Sequence, residues 1–344
     1  MKNILFFFLC WMCAVNVARP DDAQPEVGGT PARARIVIVE NSRATVAFEP
    51  DAEVVQDMMN RGIQKVTGKS NVKAAWRSLV SPKDVVGLKV YSGPGPNSGT
   101  RPAVVEAVVQ DLLKAGIPAS NIIVWDKRLV DLRLAGFSYL ADRYHIRLAG
   151  SADAGYDAKV FYQNPVPGNL SAGDLEFDQD RATTGSKSYV SKLLTQSITK
   201  IITIAPLLNH NMAGICGNLY GLAMGSVDNT QRFLDSPDRL ATAVPEIYAM
   251  SPLSDHVVLS ITDALIGQYQ GEQMSLLHYS TELNQIWLSR DPVALDVWGV
   301  RELDNERQAA KMDSFGDNPK LYQNAGELEL GVPDLSKIRL DVVR

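Results

Sequence analysis

Residues 206–233, PLLNHNMAGICGNLYGLAMGSVDNTQRF, concentrate the side chains best suited to chemistry. The stretch holds four glycines, four asparagines, His210 and Cys216, directly after the apolar run 201–204. Glycine lets a backbone approach a ligand closely, while Asn, His and Cys bring donors, acceptors and a metal ligand. His210 is the best placed of the four histidines. A neutral imidazole there could act as a general base or take a divalent metal; a hydrogen-bonding structural role is the alternative. Asn209 and Asn218 would bind ligand beside it. Cys216 reads as a small packing residue, because no Cys-His-Asn spacing accompanies it.

Lys89 lies inside the apolar strand expected over 85–90. Burying an unpaired ammonium is costly, so it should meet water, a carboxylate or a ligand. Asp126 closes a strand over 121–125 and Asp263 closes another over 256–262. Both stand where the carboxyl ends of parallel strands meet a crevice, and capping the next helix or turn is the other role open to them. Loop 91–101, YSGPGPNSGTR, ends in Thr100 and Arg101 before a helix. Exposed amides of a first helical turn, the helix dipole and a guanidinium make a seat for a carboxylate or phosphate. Its spacing matches neither the dinucleotide fingerprint nor the P-loop. In 289–296, SRDPVALD, Asp291 before Pro292 fits a helix cap. Asp296 sits in the first turns of an apolar helix and faces either solvent or the crevice.

The elements that must position these groups alternate. Strands are expected over 35–40, 85–90, 121–125, 200–205, 256–262 and 285–289. Helices are expected from about Asp51, over 102–115, near 188–196, over 237–249 and over 292–310. Strand, crossover helix, strand is the pattern of a parallel sheet. The expected fold is therefore α/β: a mostly parallel sheet, or two, flanked by helices, Rossmann-like and three-layered. Residues 150–185 are crowded with Asp, Gly, Asn and Pro and are expected to form an irregular insertion or lid, with room for a short hairpin.

Composition narrows the function classes. Residues 1–18, MKNILFFFLCWMCAVNVA, have one lysine and then an apolar block short for a membrane span. That is the form of a secretory signal peptide, with an uncleaved anchor as the alternative. Residues 19–33 read as a flexible leader. Loss of the signal peptide removes Lys2, taking the net charge from -5 to -6, and leaves Cys216 as the single cysteine. A mildly acidic exported chain has no electrostatic footprint for nucleic acid. One thiol cannot hold an iron–sulfur cluster or close an internal disulfide, so any divalent metal would bind through His, Asp, Glu or Asn. No stable membrane span is expected in the mature chain, and its oligomeric state is left open.

Several stretches resemble the domain-of-unknown-function 362 family: GLKV, SGTRPAVVEAVVQDLLKAGI, NIIVWD, NHNMAGICGNLYG, ITDALIG and SRDPVALDVWG. They span roughly residues 80–300 in the family's order. The resemblance implies an α/β fold with parallel-sheet lobes. Some members of the family carry ferredoxin-type cysteine clusters, which this chain lacks. The family also places lysines near the loop histidine and before the loop asparagine, where this chain has Leu208, Asn209 and Gly217. Over Thr100-Arg101-Pro102 alone, the chain also resembles the nickel-pincer lactate racemase family, which implies anion binding there.

These observations converge on an exported, periplasmic or extracellular α/β protein that binds a small anionic ligand, carbohydrate or carboxylate-bearing, in a strand-end crevice. Thr100, Arg101, Asn209 and Asn218 would hold the ligand. His210, Asp126, Asp263, Asp296 and Lys89 would supply acid–base groups or ligands for a divalent metal, in an isomerase or hydrolase. A non-catalytic ligand-binding or assembly protein is the alternative. His210 is expected to lie beside at least two of Lys89, Asp126, Asp263 and Asp296.

Overall fold

In the computed structural model, which describes residues 34–314 and 318–344, the main sheet has nine strands. The signal peptide and leader lie outside the described residues. The strands are β1 (Ala34–Glu40), the two-residue pair β2 (Thr45–Val46) and β3 (Glu49–Pro50), β4 (Val86–Val90), β5 (Ile122–Asp126), β6 (Arg147–Gly150), β7 (Tyr156–Asn169), β8 (Thr184–Ser191), β9 (Lys200–His210), β10 (Gly214–Ile215), β11 (Val257–Gln268), β12 (Ser280–Ser289) and β13 (Ile338–Val343). The main sheet runs β13-β1-β12-β11-β9-β4-β5-β6, with β10 folded back on β9.

Strands β11, β9, β4, β5 and β6 are mutually parallel. Only β12 reverses the direction along the main path, because it follows β11 through a hairpin and pairs antiparallel with both β11 and β1. Apolar runs such as IIVWD and KIITIA are continuous because both faces of these strands are covered. Alternation divides the strand between two cores. Val86, Leu88 and Val90 pack with helices Ala52–Thr67 and Pro102–Lys114. Gly87 and Lys89 point to the opposite face, where helices Asn218–Ser226 and Pro237–Tyr248 form the other layer with Ile123, Trp125 and Ile201. The arrangement is the mostly parallel, three-layer α/β fold that the alternation implies.

The topology fixes where a site can form. From β4 the chain proceeds to β5 and β6 on one side, then crosses back to place β9 on β4's other side. Strand order therefore reverses between β4 and β9, and the loops leaving their carboxyl ends diverge to open a crevice.

Two segments differ from the reading of the sequence. Residues 150–185 are more regular than their composition suggests: β7 and β8 form a long antiparallel hairpin with helix Leu175–Asp180 at its turn. Register shifts break its ladder, which is why no clean alternation shows. The expected helix near 188–196 begins only at Lys192, since 188–191 belong to β8. No helix among the described residues is long and apolar enough to cross a membrane.

Candidate functional site

A cleft of about 550 Å³ opens at the carboxyl ends of β4 and β5. Asp126 at its floor belongs to a buried ion pair. Lys89 Nζ lies 2.7 Å from Asp126 Oδ1 and donates also to the Val90 carbonyl. The other carboxylate oxygen, Oδ2, accepts from both the backbone N–H and the hydroxyl of Ser92, each at 2.7 Å. Such an ion pair survives burial because each polar atom has a partner. Helix Asn218–Ser226 can lie on this lysine only through Gly225. A Cβ there would stand 2.4 Å from Lys89 Cε and 2.7 Å from Nζ.

Lys127 and Arg128 after β5 form one wall, with Asp131 behind them. Lys127 reaches across to the end of helix Asn218–Ser226 and donates to the carbonyls of Met224 and Val227. A cation at a helix carboxyl end satisfies orphan carbonyls and complements the dipole. Burial pushes its ammonium down to about 8, with Asp228 and Asp174 pulling the other way. Burial raises the Asp131 carboxyl, opposed by Arg128. The turn of the β7–β8 hairpin closes another side. Asp174 accepts from Ser171 N–H and Asn229 N–H at 2.8 Å, and Asp228 holds the Leu175 N–H at 2.8 Å. Tyr91, Tyr156 and Tyr220 present aromatic surface, and Asn229, Gln231 and Gln273 present amides.

The expected site residues separate into distinct structures. Thr100 is fully buried and straps its loop to the sheet, donating to Ile204 O at 2.7 Å and accepting from Tyr91 N–H at 3.0 Å. Arg101 is 4% exposed. Its backbone N–H donates to Asp263 Oδ2 at 2.8 Å, and its Nη1 lies 3.3 Å from Asp263 Oδ1. Asp263 thus sits at the amino end of helix Pro102–Lys114, in the seat expected for an outside anion. Asp263 does not close its strand either, because β11 continues to Gln268 past a register break.

Asp296 does the same for the second helix. Its carboxylate accepts from the N–H groups of Asn218 and Leu219, each at 2.8 Å, at the amino end of Asn218–Ser226. Burial nevertheless pushes this carboxyl up to about 6, with those N–H bonds opposing. Gly217 is required beside it: a Cβ would fall 2.4 Å from Asp296 Oδ1. Asn218 then bridges two strands, accepting from Thr203 Oγ1 at 2.7 Å and donating to Thr262 Oγ1 at 3.3 Å. Both helix amino ends at the crevice are occupied by the protein's own carboxylates.

His210 is not in an open loop. Strand β9 runs on to it and pairs back with β10. Its Nδ1 accepts from the N–H groups of Met212 and Ala213 at 3.2 Å, and its ring packs tilted against Tyr220 with centroids 4.4 Å apart. Burial lowers its pKa, and Glu272 opposes that shift. Among the described residues, no hydrogen bond or ion pair joins it to Lys89, Asp126, Asp263 or Asp296. The three carboxylates are held by Lys89 and Ser92, by Arg101, and by a helix end, so nothing draws the imidazole to them. Asn209 is fully buried and accepts from Glu272 N–H at 3.1 Å. Cys216 is fully buried, and burial raises its thiol well above the ordinary range. No three His, Cys, Asp or Glu side chains among the described residues form a group that could hold a metal ion.

Sequence reasoning missed Lys127 and Arg128, which follow Asp126 directly, and the three tyrosines. The signal was present in the register of β5: residues just past a parallel strand's carboxyl end face the crevice, whatever their type.

The fold and cleft define an α/β protein with a site at the carboxyl ends of its parallel strands. The family model described as "Domain of unknown function (DUF362)" matches residues 86–301, and the chain belongs to that family. No curated protein matches it. A solved structure of a Thermotoga maritima protein is similar over 78% of this chain and 61% of its own length, with 12% identity and a TM-score of 0.41. This chain thus spans about three fifths of that structure's length.

Proposed function

We propose that this is an exported protein whose strand-end cleft binds a small polyhydroxylated ligand bearing a carboxylate, of the sugar-acid type. The observation that carries the reading is the cleft's composition. Three tyrosines offer flat apolar faces with polar tips, and amides and carboxylates offer acceptors and donors for hydroxyl groups. Arg128 is the exposed cation on its wall, Lys127 being tied to the Met224 and Val227 carbonyls, so the ligand's anionic group is assigned to Arg128 rather than to Arg101. Calorimetric titration with a hexuronic acid, the matching neutral hexose and inorganic phosphate tests this. The sugar acid should bind most tightly, and the exposed Arg128 replaced by alanine should weaken it about tenfold with little change in stability. Equal affinity for sugar acid and neutral sugar, or an unchanged affinity for R128A, overturns the assignment.

One observation favours acid–base catalysis as a second reading. Lys127, lowered to about 8, and Asp131, raised, stand in the same cleft. Groups with displaced pKa values concentrate at active sites. Turnover of a bound sugar acid that disappears in Asp131→Asn while binding persists would support an isomerase or hydrolase. Binding without turnover leaves the ligand-binding role.

A further inference from the structure

We propose that the outer edge of β13 is the contact of a two-fold homodimer, in which β13 pairs antiparallel with the partner's β13 about an axis through Leu340. Among the described residues no strand covers this edge, whereas β6 at the other end of the sheet is only four residues long. Proteins usually blunt an open edge by shortness, charged side chains, proline or a bulge. β13 has six residues, no proline, and an unbroken register with β1 over all six pairs, and its charges, Arg339 and Asp341, are of opposite sign.

Its sequence, IRLDVV, is self-complementary when reversed. A two-fold axis perpendicular to the sheet keeps each side chain on its own face, so only residues of equal parity can stand opposite one another. Centring on Leu340 sets Arg339 opposite the partner's Asp341 and Asp341 opposite the partner's Arg339. The same register sets Ile338 opposite the partner's Val342 and Leu340 opposite the partner's Leu340. Moving the axis by one residue either way puts Arg339 or Asp341 against its own copy, and like charges directly opposite are destabilising. The charges therefore select one register.

The strand is ready for this contact. Val342 is 47% exposed, an unusual state for valine in a strand, and Leu335 just before the strand is also exposed. The Arg339 side chain is 60% exposed and among the described residues is ion-paired with Asp341 on its own strand, at 3.2 Å. Asp341 is held in place by Arg35 of the neighbouring β1 at 2.6 Å, which fixes its carboxylate beside Arg339. New backbone hydrogen bonds and the apolar row Ile338, Leu340 and Val342 would supply affinity, while the charges set register.

Sedimentation of the full chain from about 1 to 100 µM tests the proposal. The wild type should shift to twice the chain mass with rising concentration. Arg339→Glu and Val342→Lys should each raise Kd about tenfold or more, with the unfolding transition at low concentration unchanged. Leu340→Cys should crosslink to itself on mild oxidation, while Val342→Cys should not. A wild type that stays monomeric throughout the range refutes the proposal. A dimer unaffected by either charge variant, or a Val342→Cys that crosslinks better than Leu340→Cys, refutes the face or the register.

Discussion

Two glycines one turn apart on the same buried helix should respond to alanine with opposite signs. At Gly225 an added Cβ falls 2.4 Å from Lys89 Cε and 2.7 Å from Nζ. The tip of a lysine is ordinarily free to move. Here it is 2% exposed and pinned between Asp126 and the Val90 carbonyl. Displacing it stretches a buried ion pair, and breaking such a pair outright costs about 3–5 kcal/mol. Alanine regains about 1 kcal/mol of helix propensity over glycine. With partial relaxation the net loss should be about 2–4 kcal/mol. At Gly221 the nearest atoms to a new Cβ are Cys216 O at 3.8 Å and Tyr91 Cδ2 at 3.9 Å, ordinary contact distances. Only the propensity gain remains there, about 0.5–1 kcal/mol of stabilisation. For a chain of this size 1 kcal/mol moves Tm by about 2 °C, so thermal unfolding should place G225A about 4–8 °C below wild type and G221A slightly above it. Urea unfolding with unchanged m-values would attribute both shifts to the native state. Equal Tm values for the two variants would refute the close-contact argument and with it the pinned lysine.

Arg101→Ala should destabilise the fold by about 3–5 kcal/mol and lower Tm accordingly, because Asp263 loses its cation. Unchanged thermal unfolding would return Arg101 to the ligand-binding role its sequence position suggested. Asp296→Asn puts an amide among the N–H groups of Asn218 and Leu219 and should cost about 2 kcal/mol, read by the same unfolding assay. Asp111, Asp228 and Asp296 are each raised to about 6 by burial, so the folded chain binds more protons than the unfolded one between about pH 4 and 6. Their contribution is fully present below about pH 4 and lost as the pH rises through 6, so chemical denaturation should show greater stability at pH 5 than at pH 7.5 from these groups; the reverse order in D111N/D228N-corrected data contradicts it.

The positions of the parallel strands could be read because both faces of β4, β5, β9 and β11 are buried, leaving apolar runs unmistakable in the sequence. β13 could not, since an edge strand with Arg339 and Asp341 on one face carries a diluted signal. Nor did helix Asn218–Ser226 stand out: it is buried on all sides, so its residues lack the polar stripe that marks an amphipathic helix, and its glycines suggest a loop. At the site, strand-end position drew attention to Lys89 and Asp126, which the structure pairs with each other. The roles of Arg101, Asp263 and Asp296 escaped because which carboxylate fills which helix end depends on contacts 162 and 78 residues apart. A seat for an anion is visible in sequence; its occupant is not.

The sheet's chain order also bears on biogenesis. β1 is the first strand among the described residues, yet its pairing partners are β12 and β13, and Gln285 bonds Glu40 across 245 residues. At about 5–20 residues per second the ribosome needs about 12–50 s to supply the partner. Through that interval the segment ARIVIVE, rich in β-branched residues and free of proline, has no ladder to join. Short segments of that kind are the ones that nucleate cross-β association. Holdase dependence and inclusion-body formation are therefore the expected weak points of its production. A permuted chain beginning at β12 would make β1 and its partner neighbours in time as well as in space.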